Sequence, residues 1–185
     1  MKNRKFYIIF LIVIVALVAV LFTSRSSISE EEKLVESYYP NAKDIELIKD
    51  IADDMYISLN FPAVKRAYEI DGKIKAFVSS CVGYVGPIDV LVAIDDASDE
   101  LLGIEILKHE ETPRYAEYIE EDWFLERFKN IIVDKYLNLV VLEKEKPEDI
   151  IQVTGATISS QAIVNAVNAA IGAYNYINNG VDMAS

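Results

Sequence analysis

Hydrophobic positions along the chain change spacing several times, and each change marks an element. From Phe6 to Phe22 (FYIIFLIVIVALVAVLF) the run is apolar and uncharged, which predicts one helix crossing a bilayer core of roughly 30 Å. Ser24 to Ser29 is a polar linker, and Glu30 to Tyr39 returns to helical spacing, with Leu34 and Val35 followed by Tyr38 and Tyr39 before Pro40. Alternation or clustering at strand spacing follows at Met55–Leu59 and Val64–Ile70, and Asp71-Gly72 supplies a hairpin turn into Lys73–Val82. Asp89–Asp95 (DVLVAID) reads as a further strand, Asp96–Glu100 as a polar turn and Leu102–Leu107 as the returning strand. Helical intervals resume between Glu117 and Asn130 at Ile119, Trp123, Phe124 and Phe128, and Leu137–Leu142 reads as a strand. After a loop at Pro147 comes a long helix from about Ser160 to Asn178. Ile163, Val164, Val167, Ala170, Ile171, Tyr174 and Ile177 form its core stripe, with Asn165, Asn168 and Asn175 mostly off it. The expected class is α+β: an antiparallel sheet with packed helices, preceded by an N-terminal transmembrane helix.

Length and charge refine this. The chain has 185 residues, enough for one modest domain at 30–185, a basic start with anchor at 1–23 and a linker at 24–29. Lys2, Arg4 and Lys5 precede the apolar run and only Arg25 follows it closely, so the positive-inside rule places the N-terminus in the cytoplasm and the domain outside. A cleaved signal peptide is the competing reading. Against it, the segment after the apolar run has no small-x-small cleavage pattern with Ala, and the run exceeds the roughly 7–15 residues of a signal core. The net charge is −12 and all 30 acidic residues lie after Ser29, which argues against a nucleic acid partner. A single cysteine, Cys81, and a single histidine, His109, leave no metal site of the usual zinc type and no intrachain disulfide.

Chemistry concentrates ahead of the last helix, where the chain reads Gln152-Val153-Thr154-Gly155-Ala156-Thr157-Ile158-Ser159-Ser160. Four hydroxyls and a glycine at a helix start suit a phosphate, because free N–H groups and the positive end of the dipole point there. The alternative is an ordinary loop with Ser159 or Ser160 as N-cap. Other residues receive blander readings. His109 lies in a charged stretch as a solvated histidine, and Cys81 is a small core residue in an apolar strand. Asp95, Asp96, Asp99 and Glu100 form a turn, not a calcium loop. Glu120, Glu121 and Asp122 begin a solvated helix, and Trp123 and Phe124 belong to the core.

Thr154-Gly155-Ala156-Thr157 resembles the [Ser/Thr]-Gly-Ala-Thr motif of the FMN-binding domain found in the G subunit of Rnf electron transport complexes and the C subunit of sodium-pumping NADH:quinone oxidoreductases. Two more blocks follow the family order. Gly83-Tyr84-Val85-Gly86-Pro87 resembles its glycine-tyrosine-x-glycine-proline strand entry, and Glu111-Thr112-Pro113 its Glu-Thr-Pro loop. The aromatic segment Trp123 to Phe128 sits where such proteins carry a Phe-rich helix, so the resemblance runs from about Tyr68 to Tyr176. Two departures stand out. Ile151 occupies a position where the family often has Asp, and Arg114-Tyr115-Ala116 replaces a Gly-Leu-Gly continuation.

The resemblance implies FMN esterified through its phosphate to Thr157. Thr154, Gly155, Ala156, Ser159 and Ser160 would lie around the phosphate and ribityl chain, and Glu111, Thr112, Pro113, Tyr84, Gly86 and Pro87 would line the ring. It further implies a membrane-anchored flavoprotein relaying electrons in an Rnf-type ion-translocating ferredoxin:NAD oxidoreductase, with no catalytic residues of its own. Its partners would be the other membrane subunits, a flavin transferase and, through residues 6–22, the lipid bilayer. A stand-alone extracytoplasmic FMN carrier and a cofactor-free assembly protein are the alternatives, the latter motivated by Ile151.

Overall fold

The computed structural model describes residues 30–48 and 50–180. The expected anchor at 6–22 and linker at 24–29 lie outside the described residues. Among the described residues no helix is long and apolar enough to cross a membrane. The chain divides into two units, residues 1–40 and 41–185. The described part of the first is helix α1, Glu30–Tyr38, the helix expected before Pro40.

The second unit is α+β. Strands β1 (Ile45–Leu47), β2 (Val64–Ile70), β3 (Ile74–Val82), β4 (Pro87–Asp95), β5 (Glu100–His109) and β6 (Ile131–Ile132) form one six-stranded sheet in sequence order. Every pairing in it is antiparallel. Asp71-Gly72 makes the β2–β3 turn with left-handed φ of 52° and 61°, the backbone that a tight hairpin of this twist requires. Two further strands, β7 (Asn138–Val140) and β8 (Asp149–Ile151), pair in parallel as a small second sheet.

The last helix, here α6 (Thr157–Asn179), packs its apolar stripe over the sheet. Ile88, Val90, Val92 and Ile94 of β4 meet it with no exposed surface, and Phe77 of β3 sets its ring edge-on to Tyr174 of α6. Val90 pairs with Ile106 and Asp89 with Lys108, so Leu107 is an extra residue in β5. Such a bulge reverses the side-chain alternation. It places His109 opposite Ile88, on the face that carries the core.

Several elements differ from the sequence reading. Met55–Leu59 lies in a helix, α3 (Met55–Asn60), which follows the single turn α2 (Asp50–Asp53). Asp54 caps α3 by accepting from the Ile57 N–H at 3.0 Å. The single helix expected over 117–130 is instead α4 (Pro113–Glu120), α5 (Asp122–Leu125) and a 3-10 turn (Glu126–Phe128). Phe124 is fully buried there, but Trp123 is 43% exposed and stacks under the Arg127 guanidinium, 4.7 Å from its ring centroid. Helix α6 starts three residues before the expected Ser160. Asn168 and Asn175 are not idle on its polar side. Asn168 makes a paired contact with Leu137, accepting from its N–H at 2.7 Å and donating to its carbonyl at 2.9 Å. Asn175 is buried and donates to the Val133 carbonyl at 2.8 Å.

Candidate functional site

Three segments distant in sequence meet at one end of the sheet. The β3–β4 connection (83–86) is a tight turn closed by the Gly83 N–H donating to the Gly86 carbonyl at 2.8 Å. The end of β5 lies beside it because Ile88 pairs with His109. From there the chain runs through residues 110–112 into α4. The start of α6 completes the group.

The motif segment is fixed from within. The Ala156 N–H donates to the Val153 carbonyl at 3.0 Å, and the Val153 N–H donates to Ser160 Oγ at 3.0 Å. Between them Gly155 takes a φ of 86°, a backbone that a residue with a side chain rarely adopts. Thr157 is then the first residue of a 23-residue helix whose N-cap is Ala156, with no side-chain cap. The expectation that Ser159 or Ser160 caps it is corrected: both are buried inside the first turn. Ala at the cap offers no oxygen to the first free N–H groups, so they and the dipole remain available to an anion.

Glu111 ties the three segments together. It is only 6% exposed. The Val85 N–H donates to its Oε1 at 2.8 Å, and Ser159 Oγ donates to its Oε2 in a short hydrogen bond. Burial alone would push this carboxyl up. The Ser159 hydroxyl and the N–H groups of Val85, Gly86 and Tyr84 outweigh burial and hold it below the usual glutamate range. Gly83 is required for this contact, since a Cβ there would lie 2.6 Å from Glu111 Oε1 and 2.7 Å from Ile88 Cδ1.

A cavity of about 370 Å³ opens among these segments, within the range of small-ligand pockets. Tyr84 comes from the turn, Glu111 and Thr112 from the loop after β5, and residues 155–159 from the motif. Thr157 is exposed there, and Ile158 is an apolar wall residue, 52% exposed. Pro113, Gly86, Pro87, Thr154 and Ser160 are near the cavity in sequence but do not line it. Pro113 is the first residue of α4, Pro87 the first of β4, and Thr154 an exposed loop residue. Gly86 packs against Glu110, where a Cβ would be 3.0 Å from Glu110 Oε2.

The comparisons with known proteins fall on the same segments. Residues 83–172 match the family described as FMN-binding domain. The match begins at the glycine that accommodates Glu111 and ends within α6, so it contains every residue that lines the cavity. The chain is similar to the G subunit of an ion-translocating oxidoreductase complex from Shewanella piezotolerans, at 36% identity over 91 residues, 48% of this chain and 42% of that one. It is also similar to the G subunit of a proton-translocating ferredoxin:NAD(+) oxidoreductase complex from Clostridium ljungdahlii, at 34% identity over 89 residues, 48% of this chain and 46% of that one. The chain spans about half the length of these curated relatives. Its fold is similar to that of the C subunit of the Na(+)-translocating NADH-quinone reductase of Parabacteroides distasonis, with a TM-score of 0.56 at 16% identity, covering 79% of this chain and 82% of that one.

Two residues at or beside the cavity escaped the sequence reading. Ile158 breaks the stripe of α6 as an apolar residue on its first turn, and that misfit was a readable signal. His109 left none, because its direction depends on the bulge at Leu107. It is not solvated as expected: its side chain is 16% exposed and pairs with Glu120 at 2.9 Å.

Proposed function

We propose that this chain is the flavin-bearing, G-type subunit of an Rnf-type ion-translocating oxidoreductase complex. In this reading FMN occupies the cavity, its phosphate esterified to Thr157, and domain 30–185 stands on the outer face of the cell membrane, anchored by residues 6–22 with the N-terminus in the cytoplasm. The observation that carries it is the exposed Thr157 on the uncapped first turn of a 23-residue helix, lining the 370 Å³ cavity. The family match and the relatives from ion-translocating complexes support the choice of cofactor and assembly.

The residues present fit the group. The N–H groups of the first turn of α6 favour a phosphate; that turn carries no acidic side chain of its own, and the charge of the neighbouring Glu111 carboxylate is taken up by the Ser159 hydroxyl and the Val85 N–H. Gly155 lets the backbone approach closely, while Tyr84 and Ile158 offer apolar surface to a planar ring. FMN supplies the electron-carrying chemistry, and the protein supplies retention, orientation and electrostatics. A phosphoester retains a cofactor in a compartment without a cytoplasmic supply. Thr157 is then an attachment point and not a catalytic group. A flavin transferase would make the bond, and the other membrane subunits would supply and remove electrons.

The test is protein from its native host. Intact mass and in-gel flavin fluorescence after denaturation should show one covalent FMN, and peptide mapping should place it on Thr157. Thr157→Ala should abolish the covalent flavin and leave the fold unchanged, because the side chain is exposed. Covalent flavin surviving in that variant contradicts the attachment point. Unmodified native protein contradicts the whole reading.

A further inference from the structure

Glu111 shapes the cavity wall, yet it stands in an open loop between β5 and α4. Its side chain is anchored at both oxygens, and its backbone must be held in a place that lets them reach. The Glu111 N–H donates to His109 Nδ1 at 3.1 Å, and the other ring nitrogen, Nε2, lies 2.9 Å from Glu120 Oε1 of α4. A carboxylate oxygen can only accept, so Nε2 carries the proton, and Nδ1 must be bare to receive the Glu111 N–H. Both contacts are therefore met by one form of the ring, the neutral Nε2–H tautomer. The ring is mostly buried, and the bulge at Leu107 turns it to the core face of the sheet. Directly opposite on β4 stands Ile88, which is uncharged and fully buried. A chain of contacts thus runs from Glu120 through His109 and Glu111 to Ser159, linking α4 to the first turn of α6.

We propose that His109 is a positioning residue: its Nδ1 fixes the Glu111 backbone and, through the Glu111 carboxylate, the relation of the 83–86 turn to the start of α6. This rests on the flavin reading for its functional consequence but not for its geometry. The two ring nitrogens can be tested separately. Asn at 109 places its Oδ1 where Nδ1 stands, keeping the acceptor for Glu111 and losing Glu120. Gln reaches outward as Nε2 does, keeping a donor for Glu120 but leaving the Glu111 N–H without its acceptor.

Full-length wild type, His109→Asn, His109→Gln and His109→Ala are compared in two measurements. The first is amide hydrogen exchange at Glu111 by NMR on flavin-free protein. Slow exchange is expected in wild type and the Asn variant, with exchange at least tenfold faster in Gln and Ala. The second is the visible circular dichroism and midpoint potential of flavin-loaded protein, where Asn should match wild type and Gln and Ala should depart from it together. Equal exchange in all four proteins overturns the proposal, as does an Asn variant that behaves like Gln in both measurements. If native wild type carries no flavin, the function proposed above fails while the exchange experiment still decides the role of His109.

Discussion

The carboxylate of Glu111 is kept as an anion in a place where burial would favour its neutral form. Its charge is compensated by the Ser159 hydroxyl and the N–H groups of the 83–86 turn, and hydrogen bonds to a charged acceptor contribute about 1.5–3 kcal/mol each. Because its folded pKa lies below the unfolded value, its contribution is fully present above the ordinary glutamate pKa of about 4.3 and is lost as pH falls through the folded value. Glu111→Gln keeps the shape and removes the charge. It should cost about 1–3 kcal/mol at neutral pH, and the difference from wild type should shrink as pH drops below the glutamate range. Urea unfolding of both proteins in pH steps measures this, and a difference that stays constant into acid would show that the anion is not what Ser159 and Val85 stabilise. At this scale residue spacing was informative about residue types and silent about roles. By spacing alone the four hydroxyls between 154 and 160 look equivalent, and only the motif resemblance singled out Thr157; in the structure Ser160 accepts from Val153 and Ser159 donates to Glu111, while Thr157 is exposed at the cavity. Their partners lie on other segments, and local spacing does not reveal them.

Elements with one dominant period were legible, and short ones were not. Helix α6 announced itself because its stripe repeats over many turns, and the β2–β3 hairpin because Asp71-Gly72 permits only a narrow range of turns. Met-Tyr-Ile-Ser-Leu at 55–59 fits both a strand and one and a half turns of helix. The Asp54 cap and Tyr56 decide between them, since Tyr56 stacks on Tyr176 of α6 at 4.2 Å. The stripe also concealed how closely α6 approaches its neighbour. A Cβ on Gly172 would lie 2.2 Å from Phe61 Cε1 and 2.7 Å from Cζ, in a buried ring that meets Tyr56 edge-on. Alanine at an ordinary helix position is favoured over glycine by roughly 1 kcal/mol, whereas overpacking a core costs about 1–3 kcal/mol and more when the neighbour is confined. The second effect should win here. Gly172→Ala is expected to lower stability by about 1–2 kcal/mol in denaturant unfolding, and a gain would mean that Phe61 has room to turn away.

At the scale of the whole molecule, the site exists only when the chain is folded. Its walls come from residues 84, 111–112 and 155–159, brought together because β3 turns directly into β4, β4 pairs back onto β5, and α6 lies across β3 and β4. Each wall segment was recognisable in the sequence as a motif, but their convergence is a product of the meander and of Glu111. A ligand held by all three walls favours the folded state over the unfolded one, by an amount that grows with the ratio of effective concentration to dissociation constant and reaches about 2.7 kcal/mol at a hundredfold ratio. The tether proposed at Thr157 would keep the effective concentration high even in dilute protein. Flavin-loaded wild type should therefore unfold later in denaturant than empty wild type made in a host lacking the transferase, by about 2–4 kcal/mol. Empty Thr157→Ala should match empty wild type, since the exposed Thr157 side chain adds little to the fold. Coincident unfolding curves for loaded and empty protein would mean that the tethered flavin rests outside the cavity, and the residues of the 83–86 turn and the Glu111 loop would then have no part in holding it.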